Sequence, residues 1–269
     1  MKTIALALIF GAALTANASA AATNTLFDVA SGVDKVTVPA KGTTPEVTTT
    51  CHYYAHYMVK QVDEGEVGAA QISILPTDGK HKPKCERANA AGEKVINPAD
   101  WAGYFKGVKG DFVFVDAADG NQGAMGVAVF DKDGKKLFDD LIKGDFHAVD
   151  VAGATLTLKY QRAFAGPCSV AKDGAACWAK VASAAQVAAT PAPDCAKGYL
   201  TAKTAMAKGR CEADKTPTAA CEAKALKELD AQRWNESPSV ILFEAETVIA
   251  SGKATTKATG TALACYPAD

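Results

Sequence analysis

The chain has no Cys-x-x-Cys pair although it holds eight cysteines. That absence argues against a zinc ribbon or an iron–sulfur site, both of which need thiolates clustered at short spacing. Gly-x-Ser-x-Gly, a Walker A loop and a Gly-x-Gly-x-x-Gly turn are also missing. Hydrolase, nucleotide and dinucleotide readings therefore lack local support, and no cofactor is implied. A triad drawn from distant positions leaves no such trace, because geometry and not order defines it. Charge of one sign is scarce: 29 basic side chains stand against 30 acidic ones. Such a balance gives no global field for nucleic acid or an anionic membrane. Beyond the N-terminal stretch, no apolar run approaches the ~20 residues of a membrane span.

What is present begins with an export signal. Met1-Lys2, an apolar run from Ile4 to Leu14 and then Ala18-Ser19-Ala20 make the three parts of a secretory leader, predicting cleavage after Ala20. The short n-region and Ala-x-Ala cut suit a bacterial Sec substrate, periplasmic or secreted. Residues 1–20 are read as signal peptide, and residues 21–269 as a single β-rich domain.

The centre of that domain is the stretch from Phe112 to Phe164, where short β-rich segments are each followed by a turn signal: Asp119-Gly120, Asp133-Gly134, Gly144 and Gly153. This is the pattern of an antiparallel meander. Leu156, Leu158 and Tyr160 alternate with Thr155, Thr157 and Lys159, as in a strand with one buried and one wet face. Phe112 to Val115 and Val127 to Phe130 are apolar at every position, so these strands are expected between two layers. The fold class is mainly β (α+β), an antiparallel sandwich or barrel-like sheet. Upstream, Lys35 to Val38 is a weak strand, Pro45 to Val62 a stronger one, Asp63-Glu64-Gly65 a turn, and Gln71 to Leu75 the returning partner. From Thr77 to Gly110 no regular element is legible.

After Gly166 the composition turns to alanine, lysine and cysteine. Trp178, Val181, Ala182 and Ala185 recur at helical spacing, with Pro191 and Pro193 ending that helix. Pro217 at a first helical position opens another running to about Gln232, with Cys221, Ala225 and Leu229 on one side. Val240 to Ile249, Ser251-Gly252 and Thr255 to Cys265 form a closing hairpin. The helical part, about residues 168–235, is thus a small disulfide-bonded cap inserted into the β domain.

An even number of cysteines in an exported chain implies disulfides, here with roughly a hundred pairings open. Local closure favours Cys168 with Cys177 and Cys211 with Cys221. Cys51 with Cys85 would then tie the long strand to the loop, and Cys195 with Cys265 would fasten the cap to the last strand.

Candidate sites compete with plainer roles. His52 and His56 have the His-x-x-x-His spacing of a helical metal site. The surrounding Thr and Tyr residues predict a strand, on which four residues span about 13 Å, too far for two bonds of about 2.1 Å to one ion. Glu244 and Glu246 lie on one strand face roughly 6.6 Å apart, within range of a glycosidase carboxylate pair, yet alternation with Ile241, Phe243 and Ala245 places them where the strand meets water. The segments Asp131-Lys132-Asp133-Gly134 and Asp116 to Gly120 read as tight turns and not calcium loops, since neither continues to a bidentate Glu. His147 alternates with Val149 and Val151 and reads as a core histidine. Lys80, Lys82, Lys84 and Arg87, followed by Trp101, Tyr104 and Phe105, could make a nucleic-acid or polysaccharide surface, but a solvated loop beside core aromatics is the simpler reading.

These observations favour an exported non-enzymatic module that binds a protein, an envelope component or a small molecule, or serves as a structural part. An exported hydrolase using Glu244 and Glu246 is the alternative, and a metal-binding protein using His52 and His56 the third reading. No catalytic or metal residue is assigned.

Overall fold

The structure, a computed structural model, describes residues 26–121, 123–187, 191–230 and 234–267. The predicted leader, its cut after Ala20 and the helix end near Gln232 lie outside the described residues.

Two antiparallel sheets form the body of the fold. The smaller joins β1 (Gly32–Val38), β2 (Val47–Tyr53), β3 (Tyr57–Asp63), β4 (Gln71–Pro76) and β5 (Lys94–Ile96) in chain order. The larger runs from β6 (Gly103–Lys109) through β7 (Phe112–Asn121), β8 (Ala124–Asp131), β9 (Lys136–Ala152), β10 (Thr155–Ala165) and β11 (Ser239–Ala250) to β12 (Lys253–Pro267), each strand paired with the next. Helices α1 (Val170–Ala185), α2 (Cys195–Ala213) and α3 (Ala219–Asp230) are inserted between β10 and β11.

The all-apolar segments do lie between two layers. Val113, Val115, Ala128 and Phe130 meet Tyr57, Val59, Ile72 and Ile74 of the smaller sheet. Phe112, Phe114, Val127 and Val129 face the opposite core, which also takes in Tyr160, Phe243 and residues of the helices such as Val181 and Tyr199. Each such side chain, when fully buried, contributes roughly 1.5–3 kcal/mol. In that core the Tyr160 hydroxyl donates to Asp140 Oδ2 at 2.7 Å and lies 2.8 Å from Thr247 Oγ1, so its polar tip is satisfied.

Four disulfides, Cys51–Cys85, Cys168–Cys177, Cys195–Cys265 and Cys211–Cys221, use all eight cysteines. Gly198 permits the close approach of α2 to β12: a Cβ there would lie 2.6 Å from the Cys265 carbonyl oxygen.

Several expectations are corrected. The segment from Pro45 to Val62 is a hairpin and not one strand, with residues 54–56 as its turn. β5 and β6 occupy the stretch expected to lack regular structure; glycine obscured β6, where a Cβ on Gly103 would sit 1.7 Å from the Asp116 carbonyl oxygen. Asp119-Gly120 does not turn the chain, because β7 continues to Asn121 with a register shift between Asp116 and Gly120. Gly144 does not end a strand either: β9 runs through it, bulging between the Phe146↔Tyr160 and Ile142↔Arg162 pairs. Pro217 is not the first helical residue: α3 begins at Ala219, after Thr218, whose hydroxyl caps the helix by accepting from Cys221 N at 3.2 Å.

The outer face of the smaller sheet is covered by the loop that Cys85 anchors. Lys60 and Glu93 are each 1% exposed and form an ion pair of 2.7 Å. The Lys60 ammonium also donates to Ala88 O at 2.9 Å and Asn89 Oδ1 at 3.2 Å, while Ser73 Oγ bonds Glu93 Oε1. A buried charge survives only with such complete pairing. Lys60 gave no sign of this in the sequence, because its partners lie some thirty residues away.

Candidate functional site

Four segments distant in sequence meet at one end of the junction between the two sheets. Residues 28–31 enter first: Asp28 N donates to Val108 O at 2.7 Å, and Asp28 Oδ2 accepts from Gly110 N at 2.7 Å. Ser31 N and Oγ both donate to Tyr53 O, at 2.8 and 3.0 Å. The 54–56 turn is closed by Tyr54 N donating to Tyr57 O at 2.9 Å. Residues 77–83 lie against that turn, with Thr77 N donating to His56 O at 2.8 Å. Gly79, at φ +70°, allows this approach, since a Cβ there would lie 2.7 Å from Ala55 O. The fourth segment is the β6–β7 turn, whose Gly110 carbonyl accepts the Tyr57 hydroxyl at 2.5 Å.

Two adjoining cavities result. One, of about 410 Å³, is lined by residues that include Asp28, Val29, Tyr54, His56, Tyr57 and Asp111. The other, of about 210 Å³, is lined by residues that include Tyr53, Tyr54, Thr77, Lys80, His81 and Lys82. Ser31 and Tyr54 belong to both, so the cavities form one cleft with Tyr54 at its middle. The Tyr54 and Tyr57 rings lie 5.7 Å apart and tilted by 35°. Among the described residues the Tyr54 hydroxyl has no hydrogen-bond partner. Burial pushes the Tyr54 phenol up to about 12, with Asp28 adding to the effect. Burial, then Asp111, raises Tyr57 as well. Both phenols are therefore neutral donors at ordinary pH.

At the smaller cavity, Lys82 Nζ lies 2.8 Å from Asp34 Oδ1 and 4.3 Å from the centre of the Tyr53 ring. The Tyr53 hydroxyl donates to Asp34 Oδ2 at 3.0 Å and Pro83 O at 3.1 Å. Hydrogen bonds from Lys82 and then Tyr53 hold the Asp34 carboxyl below its usual range. The His81 ring and the backbone N–H groups of His81 and Lys80 hold Asp78 down to about 2. Among the described residues the Lys80 ammonium has no carboxylate partner.

The residues singled out in the sequence fall as follows. His52 is on β2, facing the larger sheet, with its ring 4.7 Å from that of Phe105. Burial lowers its pKa. His56 is in the hairpin turn and not on a strand, and lines the larger cavity. Among the described residues no three metal-ligating side chains gather in one group.

Glu244 and Glu246 are on the half-exposed face of β11, away from both cavities, while Ile241, Phe243 and Ala245 point inward. Lys257, 2.8 Å from Glu246, holds that carboxyl below its usual range, opposite to what a general acid needs. His147 is not a core histidine. Its side chain is 53% exposed, with Nδ1 3.1 Å from Glu244 Oε2. The reason is a β-bulge: Lys159 pairs with Ala148 and Tyr160 with Phe146, so His147 is the extra residue that resets the alternation.

Asp131 and Gly134 form the tight turn between β8 and β9, where Asp131 Oδ1 accepts from Asp133 N at 3.0 Å and Lys135 N at 2.9 Å. In the basic loop, Lys82 and Arg87 are bonded to Asp34 and Glu64. No sequence motif marks Tyr54, Tyr57, Asp28 or Asp111. A cluster of three tyrosines, Tyr53, Tyr54 and Tyr57, around two histidines is the available signal, but tyrosine is equally a strand former. Comparison of the chain with protein-family models, with curated proteins and with solved structures finds no match.

Proposed function

We propose that this protein is an exported, non-enzymatic binding module that holds a small polar ligand in the cleft centred on Tyr54. The observation that carries the reading is Tyr54, which lines both cavities from a hydrogen-bonded turn and whose hydroxyl has no hydrogen-bond partner among the described residues. The larger cavity has mainly apolar walls with a few polar groups, the usual form of a small-ligand site, and the smaller one adds a more polar lining. Export rests on the leader sequence and accords with four disulfides. The protein then works in a periplasm or outside the cell. No helix among the described residues is long and apolar enough to cross a membrane.

The glycosidase alternative calls for Glu244 and Glu246 to face a shared ligand space with one carboxyl kept protonated. The His147 ring, 3.1 Å from Glu244, and the Lys257 ammonium, 2.8 Å from Glu246, occupy both instead.

Thermal denaturation of the mature protein against a panel of small envelope-derived molecules tests the proposal. A bound ligand raises the melting temperature by mass action. The expected result is at least one compound that stabilises the wild type and not Tyr54→Ala. Stabilisation that survives Tyr54→Ala and is lost in Glu244→Gln would contradict it.

A further inference from the structure

We infer that the cleft recognises a zwitterion, a short peptide with free termini, and this rests on the binding reading above. The two cavities differ in charge. The larger presents Asp28 and Asp111 beside the Tyr54 and Tyr57 rings. The smaller presents Lys80 and Lys82.

An ammonium group suits the first environment. Carboxylates attract it directly, and tyrosine faces add a cation–π attraction. The negative potential there also acts on the tyrosines, since Asp28 and Asp111 both raise the Tyr57 phenol. Asp28 is held in place by Gly110 N and lies 3.5 Å from Lys109, so its position is set before a ligand arrives. Asp111 is more loosely tied, at 3.8 Å from Lys132.

A carboxylate suits the second. Lys82 already serves Asp34, but the Lys80 ammonium has no carboxylate partner among the described residues. The 77–83 loop that carries Lys80 is pinned against the hairpin turn by Thr77 and Gly79. Tyr54 separates the two poles and offers its hydroxyl to the carbonyl of a backbone lying between them. A ligand with charge of one sign satisfies one cavity and leaves the other pole unmatched. A molecule with an amine at one end and a carboxylate at the other meets both.

Isothermal titration of the mature protein with an equimolar library of tripeptides bearing free termini tests this, beside the same library N-acetylated and the same library C-amidated. The expected result is binding of the free library and at least tenfold weaker binding of each capped form. Lys80→Ala should remove the penalty for amidation, and Asp111→Asn should reduce the penalty for acetylation. Circular dichroism melting of both variants confirms that they fold. Equal binding of free and capped libraries, or a penalty from one cap alone, overturns the zwitterion inference. If no tripeptide binds while another compound stabilises the protein in a Tyr54-dependent way, the inference fails and the binding reading stands. If no compound acts through Tyr54, both fail.

Discussion

The hydroxyl of Tyr57, on the first residue of β3, donates to the carbonyl of Gly110 in the β6–β7 turn at 2.5 Å. This bond ties the smaller sheet to the larger one at the floor of the cleft. Tyr57→Phe keeps the ring and removes the bond, leaving the Gly110 carbonyl without that donor. The expected cost is about 0.5–1.5 kcal/mol, read as a lower urea midpoint with an unchanged slope. No change in midpoint would show that the bond does not couple the sheets.

The Lys60–Glu93 pair makes a sharper prediction, because both side chains are 1% exposed. Lys60→Met strands a buried carboxylate and should cost about 3–5 kcal/mol. Adding Glu93→Gln removes that charge while keeping a polar partner for Ser73, so the double variant should recover much of the loss. Equilibrium urea unfolding of the wild type, the single variant and the double variant checks this.

His52 sets a pH dependence. Burial depresses its folded-state pKa below the ordinary 6.5, so as pH falls through the interval below that value the unfolded chain takes up a proton more readily. The stability contributed by neutral His52 is present above about 6.5 and is lost as pH falls through the folded pKa. The wild type should lose melting temperature between about pH 7 and 5 more steeply than His52→Gln. Parallel curves would refute the assignment.

The disulfides differ in the loops they close. Cys195 and Cys265 are 70 residues apart and Cys168 and Cys177 are 9 apart. Loop-closure entropy makes the first worth about 4 kcal/mol and the second about 3. Cys265→Ser should therefore lower the melting temperature more than Cys168→Ser. The reverse order would mean that α2 stays docked on β12 without its staple.

Local periodicity made much of the fold legible. Alternation in β10 and β11 gave the inward faces of Leu156, Leu158, Tyr160 and Phe243, and uniform apolarity gave the two-sided burial of β7 and β8. What failed depended on contacts outside the local window. The Tyr54-Ala55-His56 turn has neither glycine nor proline, so the β2–β3 hairpin read as one strand. The bulge at His147 is a matter of register with β10, and nothing in the run from His147 to Val151 announces it. The cleft was less legible still, because its walls come from residues 28–31, 54–57, 77–83 and 108–111. Sequence can name an aspartate, a tyrosine or a lysine in each of these segments, but only the pairing of β2 with β3 and the packing of one sheet on the other bring them together.

Ligand binding at Tyr54 is tested by an amide-resolved NMR titration of the mature protein with the small-molecule fraction of an envelope extract. Shifts are expected at residues 28–31, 54–57 and 77–83 and should vanish in Tyr54→Ala, while the amides of His147, Glu244 and Glu246 stay unmoved. Shifts centred on His147, Glu244 and Glu246, with the cleft silent, would contradict it.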